Sequence, residues 1–191
     1  MSKLKLFFIS ALLTASVVLV GSYVDHVRPK RYRHYAPLIP IFGTDGMFLT
    51  SQLMPGDAGL LNQRYRIRTI VDIRPDGEER NQPLSSEIAS TGKKYGIQFH
   101  YIPVPHGSIP DTAVEELAHV VATEPKPMLL YCRTGRRAIR LFALEEASRI
   151  DGPDSDAILA MTRATGFSAA DLKTEIDQRI SHRHASATAI R

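Results

Sequence analysis

Four short apolar runs, Met47–Thr50, Thr69–Ile73, Gln98–Val104 and Met128–Tyr131, alternate with stretches of helical periodicity. Runs this short, rich in β-branched and aromatic residues, suit strands, and the intervening stretches place apolar side chains on one helical face. The helices are expected at Pro55–Tyr65, Leu84–Tyr95, Asp111 to about Thr123, Ala138 to about Ile150, Asp154–Ala164 and Ala169–Ile180. Strands joined through helices run parallel, because a parallel pair needs a long crossover. The fold class is therefore α/β, with a central, mostly parallel sheet of about four strands flanked by helices. The chain has 191 residues, 43% hydrophobic and 23% charged, which suits one domain with appendages.

The chemistry concentrates after the last apolar run. Cys132 is the single cysteine of the chain, and it follows directly on Tyr131. Arg133, Thr134, Gly135, Arg136 and Arg137 come next, and then a helix. A lone cysteine at a strand end is usually a small buried hydrophobe. Three arginines packed into the next five positions argue otherwise, since they would be badly placed beside an inert core thiol. A strand, a tight Gly-containing loop and a helix N-terminus aim backbone N–H groups at one spot and form an anion cradle. The same positive field favours the thiolate. A thiolate beside an anion site is a nucleophile directed at an oxyanion substrate. One cysteine excludes an intramolecular disulfide, and the seven histidines form no metal-ligand spacing near it. No metal or other cofactor is expected.

In a parallel sheet, sites form at the carboxyl ends of the strands. That rule gathers the Arg74–Arg80 turn, the Pro105–Pro110 loop and the Cys132 loop on one edge. Residues 181–191 are polar and read as a disordered tail. The first thirty residues are a separate object. Leu6–Val24 carries no charge and is just long enough to cross a bilayer, with Lys3 and Lys5 before it and Arg28, Lys30, Arg31 and Arg33 after it. Its length and the lack of an A-x-A site favour a retained single-pass membrane anchor over a cleaved signal peptide. Residues 31–46 then read as a linker and 47–180 as the catalytic domain. The net charge of +4 is modest, and the partners expected are an oxyanion substrate and the membrane, with no nucleic acid.

FLTSQ at 48–52, IVDIRPDGEE at 70–79, FHYIPV at 99–104 and YCRTGRR at 131–137 together resemble a known family. Their order and spacing are similar to those of the bacterial beta-lactamase-hydrolase-like, phosphatase-like family of the cysteine-dependent tyrosine and dual-specificity phosphatase superfamily. The resemblance covers roughly residues 45–180. It implies a phosphatase-like fold, Cys132 as nucleophile, Arg137 as oxyanion clamp, and Arg133, Thr134, Gly135 and Arg136 as the substrate cradle.

Two features depart from the superfamily pattern. In the C-x5-R loop the arginine lies six positions after the cysteine; here that position is Ala138, and Arg137 comes one earlier. A loop of this shorter length is also what rhodanese-type sulfurtransferases use. In addition, the stretch His106–Ser108, where an acidic residue is expected, has none. Asp111 and Asp76 are the candidate general acids, with His106 behind them. Each aspartate has a simpler explanation, helix-dipole stabilisation for Asp111 and turn chemistry for Asp76. Arg74 is placed to pair with Glu78 or Glu79 and brace the site. The function expected is hydrolysis of phosphate monoesters through a phosphocysteine. The alternatives are a sulfurtransferase with a persulfide on Cys132, or a non-catalytic anion-binding module.

Overall fold

The computed structural model describes residues 37–41 and 43–189, all within one unit of the chain, Arg33–Arg191. The Leu6–Val24 segment lies outside the described residues, and among the described residues no helix is long and apolar enough to cross a membrane.

The elements in chain order are β1 (Ile39–Pro40), β2 (Met47–Thr50), α1 (Asp57–Tyr65), β3 (Thr69–Asp72), α2 (Ser85–Lys94), β4 (Gln98–Tyr101), α3 (Asp111–Thr123), β5 (Met128–Tyr131), α4 (Arg136–Ser148), α5 (Ser155–Ala164), a 3-10 turn (Ala170–Leu172) and α6 (Lys173–Ala189). The sheet order is β1-β2-β5-β3-β4, with β2, β5, β3 and β4 parallel. The expected α/β architecture is therefore present.

The sheet gains a strand in the stretch read as linker. β1 pairs antiparallel with β2, Ile39 opposite Leu49 and Pro40 opposite Phe48, and Ile41 is buried just beyond it. A two-residue edge strand carrying Pro gives little periodicity to read. β4 ends at Tyr101 rather than Val104, because Pro103 has no N–H to donate. Pairing continues on either side of that proline: Ile102 N–H donates to Asp72 O at 2.8 Å and Val104 N–H to Ile73 O at 3.1 Å.

Strand alternation divides the core between the two faces of the sheet. Ile70, Leu129 and Tyr131 pack with Leu61 and Ile88 of α1 and α2. Val71, Leu130 and Cys132 point the other way, among Val114 and Leu117 of α3 and Ile139 and Phe142 of α4. Helix α4 is buried on nearly every side, from Ala138 to Ala147. A helix so enclosed is held at a fixed angle to the sheet, and its N-terminus is fixed beside Cys132 with it.

Residues 181–189 of the stretch read as a disordered tail are helical. Helix α6 continues to Ala189, and Arg183 is buried. Its guanidinium donates to the carbonyls of Glu146 and Arg149 at 3.0 Å each, and of Gly152 and Pro153 at 2.9 Å each. Arg183 thereby ties together carbonyls of the last turn of α4 and of the segment just past it, and an arginine carries enough donors to do so. Ile176, Ile180 and Arg183 share one face of α6 at helical spacing.

Candidate active site

The loops that follow β4 and β5 line a cavity of about 350 Å³, formed by the Pro105–Ile109 loop, Cys132, Arg133, Thr134, Arg136, Arg137 and Arg140. Cys132 is 1% exposed. The N–H of Gly135 donates to Cys132 Sγ at 3.2 Å. That donor is turned inward because Gly135 has φ +96°. An added Cβ there would also come within 3.2 Å of the Phe167 ring and 3.4 Å of the Leu49 side chain. Only glycine fits this position without strain. Helix α4 opens at Arg136, two residues before the expected Ala138, so the first-turn N–H groups of Arg137 and Ala138 belong to the positive end of the helix next to the thiol.

Arg137 lines the cavity but is held firmly by the protein. Its Nη1 donates to Glu78 Oε1 at 2.8 Å and to Val104 O at 2.6 Å, and its Nη2 donates to Glu78 Oε2 at 3.3 Å. His106 Nε2 stands 3.1 Å from the same Nη2. These contacts engage both terminal nitrogens, and among the described residues Nε–H makes no hydrogen bond. Glu78 also accepts from Arg74 Nε at 3.0 Å. Burial pushes the Glu78 carboxyl up, but the hydrogen bonds from Arg137 and Arg74 outweigh it and hold the group below its ordinary range. Arg74 is itself buried. It reaches Gln52 Oε1 at 2.7 Å and Glu79 Oε2 at 3.2 Å, so it pairs with both acids of the turn. Glu79 in turn holds Arg133 at 2.7 Å. The three loops are thus tied by alternating charges, with the buried members best placed to fix geometry because their hydrogen bonds are least exchanged with water.

Arg140 at the far rim forms a two-pronged pair with Asp171, at 2.5 and 2.8 Å, and this guanidinium holds the Asp171 carboxyl below its usual range. Arg136 lines the cavity without an ion pair among the described residues.

Neither candidate aspartate lines this cavity. Asp76 accepts from Ser85 N–H at 2.7 Å and from Ser85 Oγ at 2.7 Å, so it caps the start of α2. Asp111 opens α3, and its exposed carboxylate pairs with Arg179 of α6. Both side chains are committed to structural partners, and among the residues lining the cavity there is no carboxylate. His106 and Ser108 are the lining residues that carry a dissociable proton apart from Cys132, Thr134 and the arginines.

A buried pair lies directly beneath the cysteine loop. Tyr131 Oη donates to Asp72 Oδ2 at 2.6 Å, and Arg74 N–H donates to Asp72 Oδ1 at 2.9 Å. Burial pushes the Asp72 carboxyl up to about 7 against the lowering effect of those two donors. In an unfolded chain a carboxyl of this kind ionises at about pH 4. Between these values the folded state holds more protons, so the Asp72 contribution to stability is lost as pH rises through about 7. Glu145, pushed up to about 7 mainly by burial, acts in the same direction. The thermal midpoint is therefore expected to be higher at about pH 5 than at about pH 8, and Asp72→Asn should shrink that difference. Melting curves at the two pH values check it; an Asn variant with an undiminished difference would remove Asp72 from the account.

Comparison with known proteins agrees with this geometry. The family model described as "Beta-lactamase hydrolase-like protein, phosphatase-like domain" matches residues 42–149. The beta-lactamase hydrolase-like protein of Xylella fastidiosa strain Temecula1 is 35% identical over 105 residues, covering 54% of this chain and 24% of that protein. That of Agrobacterium fabrum is 32% identical over 85 residues, covering 44% of this chain and 19% of the other. The match thus spans about a quarter or less of the length of these relatives. Among solved structures, a candidate phosphatase from Neisseria meningitidis superposes with a TM-score of 0.62 at 29% identity, over 71% of this chain and 94% of that one. The core catalytic domain of a PP-IP phosphatase from S. cerevisiae shares the fold, with a TM-score of 0.56 at 17% identity, over 80% and 92% of the two chains. The motif order, the sheet and the family match converge: this chain belongs to the beta-lactamase hydrolase-like, phosphatase-like domain family.

Proposed function

We propose that the chain is a cysteine-dependent phosphatase acting on phosphate monoesters. The observation that carries this reading is Cys132 Sγ on the wall of a cationic cavity, receiving the Gly135 N–H at 3.2 Å beside a helix N-terminus. A thiolate so placed is stabilised as a nucleophile and faces the site where an oxyanion would sit. Sγ attacks phosphorus, the S–P bond forms and the bond to the ester oxygen breaks. Loop N–H groups and Arg137 Nε–H stabilise the equatorial oxygens while the charge redistributes. Water then attacks the phosphocysteine, the S–P bond breaks, and phosphate leaves with the thiolate restored. Turnover of an aryl phosphate by the purified chain tests the reading.

The leaving oxygen needs a proton, and the geometry favours His106 over Asp76 and Asp111. It lines the cavity, whereas the two aspartates are occupied elsewhere. If His106 donates that proton, His106→Gln should slow an alkyl phosphate by about a hundredfold and an activated aryl phosphate far less, because a good leaving group departs unprotonated. Equal losses on both substrates would exclude His106 as the acid.

Sulfur transfer is the second reading, supported by the loop in which Arg137 follows Cys132 one position early. It requires a persulfide on Cys132 after treatment with thiosulfate. We also propose that Leu6–Val24 tethers the domain to a membrane, the support being its uncharged length and basic flanks. Removing residues 1–30 is expected to move the protein from the membrane fraction to the soluble fraction with turnover retained. Loss of turnover in a folded, soluble truncation would contradict the assignment of all chemistry to the later residues.

A further inference from the structure

A second cavity, of about 530 Å³, lies at the other end of the sheet from Cys132. It opens where β2 and β5 begin, next to the last turns of α4. Met47, Val121 and Phe142 give it apolar walls, and Glu145 lies among them. Glu145 is 2% exposed, and among the described residues its Oε2 has no hydrogen-bond partner. A buried carboxyl oxygen left without a donor is an unmet demand for one. The neighbouring charges do not meet it. Glu146 is committed to Arg149 at 2.6 Å, Asp45 adds a further acid to the lining, and Lys126 forms no ion pair with Glu145 among the described residues.

We infer that this cavity binds a small organic ammonium ion with a short apolar body, its N–H groups donated to Glu145 and its carbon chain laid against Met47, Val121 and Phe142. With every group ionised, three carboxylates (Asp45, Glu145, Glu146) face two cations (Lys126, Arg149), so the lining favours a cation over an anion. A purely apolar occupant would leave Glu145 unsatisfied. No group of three metal-ligating side chains stands close enough to hold a metal ion among the described residues, which leaves an organic cation. Burial first, and then the Glu146 carboxylate, push the Glu145 carboxyl up to about 7, with Arg149 and Lys126 pulling it down. The ligand therefore competes with a proton, and its affinity rises with pH across that value.

The test is a titration of the full-length chain with n-butylammonium chloride, followed by NMR of the Met47 and Val121 methyl groups, with n-butanol and sodium butyrate in parallel. Saturable shifts are expected for the amine alone, with affinity increasing from about pH 6 to about pH 8. Glu145→Gln should weaken binding about tenfold or more, the size of one charge-assisted hydrogen bond, with phosphatase turnover unaffected. Should that variant fail to fold, Lys126→Met decides the matter, since removing a competing cation is expected to tighten amine binding. Absence of saturable shifts, an equal response to n-butanol, or unchanged affinity in the folded variants would overturn the proposal.

Discussion

Replacing Cys132 with Ser is expected to reduce aryl-phosphate turnover by at least about a thousandfold while leaving the fold intact. Serine nearly matches cysteine in volume, so the core between Leu130 and Ile139 stays filled and the Gly135 N–H still has an acceptor. The chemistry is lost because a serine hydroxyl, unlike a thiol, does not ionise near neutral pH. The lining holds no carboxylate to serve as its base, and the imidazole there, His106, stands against the Arg137 guanidinium at 3.1 Å. Circular dichroism and a melting curve establish the fold, and steady-state assays establish the loss. Residual activity above about one per cent in a folded Ser variant would remove Cys132 from the nucleophile role.

Arg137→Lys is expected to cost about a hundredfold in turnover, with a lower melting midpoint as well. Its guanidinium holds Glu78 with two prongs, the Val104 carbonyl and His106 together, and among the described residues its Nε–H is unused. An ammonium is a point donor and cannot span these partners. Glu78 would be left partly unpaired next to buried Arg74, so the turn that closes the site loosens along with the loss of the donor. Arg136→Lys is the informative companion. Arg136 lines the cavity without an ion pair among the described residues, so its replacement should leave the melting midpoint in place and raise KM rather than lower kcat. If Arg136→Lys proves the more damaging change to kcat, the clamp is Arg136 and the loop has been read one residue out of place.

The sheet was legible because its strands are short β-branched and apolar runs bounded by turns, a pattern that needs no tertiary information. The gathering of three loops at one edge followed from strand direction alone. Cys132 and its arginines stood out because charges beside a core thiol make no structural sense. What stayed hidden depends on partners distant in sequence. Asp111 and Asp76 stand in the sequence as candidate acids with simpler structural explanations beside them, and the partners that hold them, Arg179 and Ser85, are not marked by any local pattern. Arg183 read as one more polar tail residue, although its spacing from Ile176 and Ile180 marks one helix face. β1 was missed because two residues cannot display a period. The bracing role of Arg74 was visible in its spacing from Glu78, but the reach of Glu78 to Arg137 was not.

The claim that Cys132 passes through a phosphocysteine is tested most directly by acid-quenched mass spectrometry of the chain during turnover of an aryl phosphate, with a parallel sample given thiosulfate. The expected result is one phosphoryl group on the peptide carrying Cys132, present only while substrate remains, and no stable gain of sulfur from thiosulfate. A persulfide on Cys132 that cyanide removes, with no phosphoryl adduct and no phosphate release, would contradict the phosphatase assignment and establish sulfur transfer in its place.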